Sequence, residues 1–165
     1  MRIRKAETKD LGVILEIYEF ARSFMAQHDN PTQWGDGYPK KDLLEADIDK
    51  GQLYVVTDDD DFEIYTVYAY IIGADSTYAY IENGAWLNDE PYGTVHRVAS
   101  SGKAKGTAHF IFNWALTQCD NLRGDTHHDN YVMQNVFKSF GMKECGVIYV
   151  EDGSPRLAYQ IIKEN

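Results

Sequence analysis

Hydrophobic residues follow two different spacings along this chain of 165 residues. In four segments they recur every three or four positions, the period of a helix with one buried face. In seven others they alternate with polar residues or form short apolar runs, as strands do. The predicted helices span residues 11–25, 40–50, 106–118 and 130–140. The predicted strands span residues 2–7, 52–57, 64–74, 92–99, 121–126, 145–150 and 156–162.

Length and composition fit a single domain over residues 1–165, with 44% apolar residues to build its core. The sequence has no run of about 18 apolar residues for a membrane span and no apolar block of a signal peptide, so we expect a cytoplasmic protein without a membrane partner. Two cysteines are too few for a disulfide framework. Cys119 and Cys145 are expected to be buried, reduced thiols.

Residues 95–108 carry the most informative chemistry, because an apolar strand there runs through a small, basic loop directly into a helix. Small residues such as Gly106 let the backbone approach a ligand, and the first N–H groups of a helix attract anions. Lys103 and Lys105 add positive charge to a chain whose net charge is −10. We predict a phosphate-binding loop; a solvated strand-to-helix turn is the alternative.

Other classes of phosphate binder do not match this loop. A P-loop needs a Gly-Lys-Ser/Thr ending, and a dinucleotide site needs three glycines and a later acidic residue in a repeated βαβ unit. Neither pattern is present. Nucleic acid is not an expected partner either, because 26 acidic residues outnumber 16 basic ones and binding to a phosphate backbone needs a basic face.

Two stretches of the sequence resemble the GNAT N-acetyltransferases. Residues 103–108 (KAKGTA) are similar to the family's pyrophosphate loop, Gln/Arg-x-x-Gly-x-Gly/Ala, with Lys103 in place of the usual Gln or Arg. Residues 130–142 are similar to its Asn, its helix with an aromatic residue and its glycine turn. Phe137 stands where many members have a tyrosine that reprotonates the leaving thiolate, and a phenyl ring cannot donate a proton.

The resemblance implies a mixed α/β fold: a central, mostly antiparallel sheet with helices on both faces and the element order βααβββαβαββ. It also implies acetyl-CoA as cosubstrate, with the pantetheine arm paired to the backbone of one strand. The residues that it assigns to this cofactor are Val98, Ala99, Lys103, Ala104, Lys105, Gly106, Thr107, Ala108, Asn130 and Phe137.

Acetyl transfer from a thioester to an amine needs donors at the carbonyl oxygen, a base for the amine and an acid for the thiolate. By residue type His96 is the best base, since the usual pKa of histidine is about 6.5. Strand alternation places His96 and Val98 on one face, so a hydrogen-bonded core histidine remains the alternative. Glu82 and His127 are the other catalytic candidates.

Two further interpretations of residues 125–129 are rejected. The run Asp125-Thr126-His127 is not a hydrolase triad, because adjacent residues on a strand point to opposite faces and the chain has no nucleophile elbow. A metal ion is not expected at His127, His128 and Asp129, because consecutive histidines on a strand do not readily reach one ion.

Aromatic and acidic residues are concentrated at positions 78–90. We expect an acceptor pocket with Trp34 and either Tyr80 or Trp86 as walls, and with Glu82 as the carboxylate for a cationic amine. Ordinary core and surface roles are the alternative for these residues.

The sequence therefore predicts an N-acetyltransferase that moves an acetyl group from acetyl-CoA to a primary amine by direct attack in a ternary complex. The acceptor is expected to be a small amine or a peptide, and a homodimer is left open. The alternative is a non-catalytic acyl-CoA-binding module of the same fold, which Phe137 and Lys103 favour.

Overall fold

The computed structural model describes residues 1–164, and its elements follow the predicted order. The helices are α1 (Leu11–Gln27), α2 (Lys41–Asp49), α3 (Thr107–Gln118) and α4 (Tyr131–Phe140). The strands are β1 (Arg2–Lys5), β2 (Leu53–Thr57), β3 (Ile64–Ile72), β4 (Gly93–Ser100), β5 (Asn121–Thr126), β6 (Lys143–Tyr149) and β7 (Pro155–Ile162). Short 3-10 turns lie at Thr8–Asp10 and Ser76–Tyr78.

The strands are hydrogen-bonded in the order β1-β2-β3-β4-β5-β7-β6. The pairs β1/β2, β2/β3, β5/β7 and β6/β7 are antiparallel, whereas β4 and β5 are parallel. In the parallel pair, the first two residues of β4, Gly93 and Thr94, lie opposite Leu122 and Arg123 of β5. The predicted mixed, mostly antiparallel sheet is confirmed.

The chain forms two compact units, and β3 and β4 contribute residues to both. Unit 1 comprises residues 1–70 and 96–111. The buried face of α1 packs in its core, where Ile14 and Tyr18 are fully buried together with Leu53, Val55 and Val67 of the strands. Asp10 accepts a hydrogen bond from the Glu7 N–H at 2.8 Å, just before the helix begins.

Unit 2 comprises residues 71–95 and the described residues from 112 onward. Its strand β5 pairs with β7 along its whole length, from Asn121↔Ile162 to Thr126↔Leu157. Two buried amide side chains of these strands are paired: the Gln160 Nε2 donates to Asn121 Oδ1 at 2.7 Å. This pairing lets an apolar core accommodate two amide side chains.

Several element boundaries differ from the sequence prediction by one or two residues, and one burial prediction is wrong. β6 begins at Lys143, two residues before the predicted start, because Lys143 and Glu144 pair with β7 although they are exposed and carry no apolar pattern. β3 ends at Ile72, two residues before the predicted position. Both thiols are free, but Cys119 is partly exposed, so its expected burial is wrong: it follows the last residue of α3.

Among the described residues, none of the helices is both long and apolar enough to cross a membrane.

Candidate functional site

The loop between β4 and α3 spans residues 101–106 of unit 1. Gly102 and Gly106 have φ angles of +78° and +75°, a conformation that favours glycine. A Cβ on Gly106 would meet no atom within 4 Å, so the space beside it is open. At the other end, the Ser101 N–H donates to the Tyr65 carbonyl at 2.8 Å. The loop is therefore anchored on β3 and open where α3 begins.

The start of α3 combines one buried anchor with exposed backbone. Thr107 is buried, and its hydroxyl accepts a hydrogen bond from the Thr66 hydroxyl at 2.8 Å. The Phe110 N–H donates to the Gly106 carbonyl at 3.1 Å as the helical ladder begins. Amides that precede this bond have no acceptor one turn back within the helix. Thr107 thus fixes the start of α3, the end of a helix that favours an anion.

The two lysines of the loop differ in their surroundings. The Lys103 Nζ lies 2.5 Å from Glu63 Oε1, and this hydrogen bond raises the pKa of Lys103. Such exposed pairs contribute little stability. Lys105 is exposed and forms no ion pair with any residue in the described part of the chain. Lys105 therefore supplies the uncompensated positive charge at this loop.

Strand β4 has a kink at Arg97, whose φ angle is +54°. Within residues 1–164, the other non-glycine residues with positive φ are Asp29, Asp61 and Asn83, which lie outside the strands and are of types that tolerate this region. For a long side chain inside a strand the conformation costs about 1–3 kcal/mol. The surrounding structure must therefore hold Arg97 in place.

The kink changes the environment expected for His96. A left-handed residue interrupts the alternation of side chains, so the argument that placed His96 and Val98 on one face does not extend across Arg97. His96, Arg97 and Val98 are all half-buried, and Ala99 is buried. His96 therefore lies at the edge of the core rather than inside it.

His127 lies in the turn between β5 and α4, and it is buried. Its Nδ1 accepts a hydrogen bond from the Asp129 N–H at 3.1 Å. Burial lowers the pKa of His127, and the charge of Arg156 lowers it further. A neutral imidazole that accepts at Nδ1 carries its proton at Nε2, so neither nitrogen has a free lone pair for a proton.

The same turn brings together His127, His128 and Asp129, whose ligand atoms lie within 4.8 Å of one another. The two imidazole rings are stacked, with centroids 4.2 Å apart and planes inclined by 28°. Because a ring nitrogen binds a metal in the plane of its ring, nearly parallel rings do not direct their lone pairs at one ion. Shared coordination here would require at least one ring to rotate.

Two residues assigned to the cofactor lie in helix α4 and at its cap. Asn130 caps the helix, because its Oδ1 accepts from the Met133 N–H at 3.0 Å. Phe137 is buried in an aromatic cluster, with ring centroids 5.7 Å from Phe112 and 4.8 Å from Tyr159. Both residues thus have structural roles within unit 2.

Replacing Phe137 with tyrosine is expected to destabilise the fold rather than supply a proton donor. A Cβ on Gly124 would lie 3.1 Å from Phe137 Cζ, so a hydroxyl on that carbon would press against β5. Overpacking of this kind costs about 1–3 kcal/mol, or several degrees in Tm for a chain of this length. Calorimetric Tm measurement tests this, with Phe24→Tyr on the exposed side of α1 as control. An unchanged Tm for Phe137→Tyr would contradict it.

Tyr80 and Glu82, two of the predicted acceptor residues, share a partner in Tyr149. The Tyr149 hydroxyl donates to the Glu82 carboxylate, and the Tyr80 and Tyr149 rings are 6.4 Å apart. Two backbone hydrogen bonds of 2.8 Å join Glu82 to Val147. A Cβ on Gly84 would lie 1.9 Å from the Cys145 carbonyl oxygen, so this close approach requires glycine.

Trp86 is engaged in packing. Its Nε1 donates to the Tyr78 carbonyl at 2.9 Å. The Arg123 guanidinium lies 4.2 Å from the Trp86 ring centroid and 4.1 Å from that of Tyr92. Such cation–π contacts stabilise a partly buried cation. The structure thus places Trp86 in the framework of unit 2.

Trp34, the fourth predicted acceptor residue, belongs to unit 1. It is partly buried against the core, with its ring centroid 5.6 Å from that of Tyr18 and 6.4 Å from that of Tyr38. It is therefore fixed among aromatic side chains of its own unit.

The sequence prediction missed the ion pair of Arg97 with Asp47. Asp47 lies three residues after the fully buried Leu44 on α2, and it is only 1% exposed. An acidic residue on the apolar face of a short helix, together with an arginine inside an apolar strand, was the available signal.

No protein-family model matches the chain, and no curated protein matches it at a significant level. Several solved structures do match the chain. A GNAT-family acetyltransferase from Streptococcus agalactiae is 32% identical, with a TM-score of 0.88 over 99% of this chain and 96% of that chain. A candidate acetyltransferase from Staphylococcus aureus is 26% identical, with a TM-score of 0.71 over 98% of this chain and 99% of that chain.

A third similar structure is a GNAT superfamily phosphinothricin acetyltransferase from Sinorhizobium meliloti in complex with acetyl-CoA. It is 12% identical, with a TM-score of 0.65 over 99% of this chain and 89% of that chain, which shows the fold alone. The similarity to the Streptococcus agalactiae protein goes further, because 32% identity over nearly the whole length accompanies the shared fold. With the glycine loop that opens α3, this similarity establishes that the chain belongs to the GNAT family of acetyltransferases.

Proposed function

We propose that the chain transfers the acetyl group of acetyl-CoA to a primary amine by direct attack in a ternary complex. The observation that carries this proposal is the loop at residues 101–106, where Gly106 has a φ of +75° and open space beside it. In a GNAT-family chain, this is where backbone amides, the α3 dipole and Lys105 favour a pyrophosphate.

The cofactor would extend from this loop along residues 96–100 of β4, which lie in the same unit as the loop. Lys103, Ala104, Lys105, Gly106, Thr107 and Ala108 would hold the pyrophosphate, chiefly through main-chain amides. The backbone of Val98 and Ala99 would pair with the pantetheine arm. Asn130 and Phe137 would contribute indirectly, as the cap and the buried anchor of α4.

For the base, the surroundings favour His96 over the other two candidates. The Nδ1 of His127 accepts a hydrogen bond from the Asp129 N–H, and the Glu82 carboxylate accepts one from the Tyr149 hydroxyl. His127 would lose this hydrogen bond on taking a proton at Nδ1, and a protonated Glu82 would accept more weakly from Tyr149. His96 is half-buried on β4, the strand along which the acetyl-CoA arm would extend. His96 is therefore proposed as the base, acting directly or through a water.

The reaction does not depend on a tyrosine at position 137. The amine nitrogen bonds to the carbonyl carbon, the C–S bond breaks, and the sulfur leaves with the electron pair while the base takes a proton from nitrogen. An alkyl thiol has a pKa of about 8.5, so the thiolate is a good leaving group that solvent can protonate. Phe137 thus remains compatible with transfer.

Initial rates measured at several concentrations of both substrates test the proposed mechanism. A ternary complex gives reciprocal plots that intersect. Parallel lines would indicate a covalent acetyl-enzyme and overturn direct attack.

The non-catalytic acyl-CoA-binding module remains the second candidate, and Phe137 in place of a proton donor favours it.

Replacing Glu82 with glutamine is expected to raise the acceptor KM about fivefold and leave the acetyl-CoA KM unchanged. The reason is the loss of about 1 kcal/mol of charge attraction at a partly exposed site. Salt should raise the acceptor KM of the parent, because the Debye length is about 8 Å at physiological ionic strength. Glu151→Gln, an exposed residue with the same charge change, is the control. An acceptor KM that ignores both salt and Glu82→Gln would show that this carboxylate does not bind the amine.

A further inference from the structure

Three side chains of unit 1 hold the kink of β4. The fully buried Tyr18 of α1 donates its hydroxyl to the Arg97 carbonyl at 2.7 Å. Asp47 of α2 pairs with the Arg97 guanidinium. Gln52 then holds Asp47, because its Nε2 donates to Asp47 Oδ1 at 2.7 Å. We refer to Tyr18, Asp47 and Gln52 as the β4 clamp.

The clamp accounts for a conformation that Arg97 would not adopt by itself. A non-glycine residue with a φ near +54° keeps this conformation only where several contacts of the surrounding structure hold it. Here both ends of the residue are held: Tyr18 binds its carbonyl and Asp47 binds its guanidinium. Burial lowers the pKa of Arg97, but Asp47, Tyr38 and Tyr18 together raise it by more, so the net effect is a raised pKa and a charged guanidinium.

The hydroxyl of Tyr18 also fixes the direction of the next amide. The Arg97 carbonyl and the Val98 N–H belong to one planar trans peptide, in which they point in opposite directions. Because the carbonyl points at Tyr18 in the core, the Val98 N–H points away from it. Tyr18 therefore orients a backbone donor that it does not itself touch.

We propose that Tyr18 is a positioning residue for acetyl transfer, and that the β4 clamp directs the Val98 N–H at the thioester carbonyl oxygen of bound acetyl-CoA. This rests on the proposed function. A donor fixed in advance stabilises the negative charge that develops on this oxygen without reorganising during the reaction. The kink thus serves the chemistry, and the clamp maintains the kink.

Tyr18→Phe tests the proposal with little disturbance of the core, because it removes only the hydroxyl. The expected result is a fall in kcat of roughly tenfold or more, as when an oxyanion donor is misdirected, with the acetyl-CoA KM changed less than twofold. Tyr54→Phe on β2, in the same unit, is the control and should keep the parent kcat. A Tyr18→Phe kcat within twofold of the parent value would overturn the proposal.

A spectroscopic measurement separates this inference from the proposed function. Acetyl-CoA labelled with ¹³C at the acetyl carbonyl is bound to the parent and to Tyr18→Phe, and the carbonyl stretch is recorded by difference infrared spectroscopy. The parent should lower the frequency relative to free acetyl-CoA, and the variant should lower it less. Equal frequencies in the two proteins would overturn the role of Tyr18. If the parent binds acetyl-CoA but transfers nothing, the proposed function fails while this comparison still stands.

A pair of double variants tests the kink directly. Asp47→Asn with Arg97→Gly and Asp47→Asn with Arg97→Ala both remove the buried ion pair. Glycine adopts positive φ without penalty, whereas alanine does not. We expect kcat to be several-fold higher for the glycine variant. Equal kcat values would show that the left-handed conformation of residue 97 has no part in catalysis.

Discussion

Gly106→Val is expected to abolish the binding of acetyl-CoA. A β-branched residue at a φ of +75° is strained, and its side chain would fill the open space beside the loop. Two or more charge-assisted hydrogen bonds to the pyrophosphate would be lost, each of about 1.5–3 kcal/mol, so affinity should fall about 100-fold or more. Isothermal titration calorimetry with acetyl-CoA measures this directly.

The chain offers a matched control for that variant. Gly153, in the turn between β6 and β7, has a φ of +81°, and a Cβ on it would likewise meet no atom within 4 Å. Gly153→Val imposes the same backbone strain away from the loop and should leave the affinity for acetyl-CoA near the parent value. Unchanged binding by Gly106→Val would show that the glycine serves only the turn.

His96→Gln is expected to lower turnover by about two to four powers of ten, the usual contribution of a general base. Glutamine keeps hydrogen-bonding groups of similar size but cannot take the proton from the amine. The affinity for acetyl-CoA should stay near the parent value, since β4 would bind the cofactor through its backbone. Single-turnover rates and calorimetry, measured on the same preparation, separate the two effects.

His28→Gln is the control for this variant, because His28 is an exposed histidine at the end of α1 in the same unit. It should retain the parent turnover. A folded His96→Gln protein with normal turnover would assign His96 a structural role and direct attention to Glu82, His127 or an ordered water.

Much of the fold followed from local patterns in the sequence. The helical period of Ile14 and Tyr18 and the short apolar runs of the strands predicted the element order, since each pattern buries one face. The early start of β6 at Lys143 was not predictable in this way. Its first residues are exposed and polar, and the sheet pairing that extends the strand comes from β7, beyond the following turn.

The site was predictable only in part, for a similar reason. The residue type of Gly106 predicts its loop, because few residues other than glycine adopt its backbone conformation. The kink at Arg97 has no such local signal: it depends on Tyr18 and Asp47, which lie 79 and 50 residues away. Likewise, the ion pair of Lys103 with Glu63 depends on a contact between distant segments. Long-range contacts of this kind override local spacing.

Thiol release is the measurement that tests the central claim most directly. The purified chain is incubated with acetyl-CoA and a panel of primary amines, and free CoA is quantified beside the N-acetylated product. We predict a release of CoA that depends on the amine and equals the product in amount. Tight binding of acetyl-CoA without release for any amine would contradict acetyl transfer and identify a non-catalytic acyl-CoA-binding module.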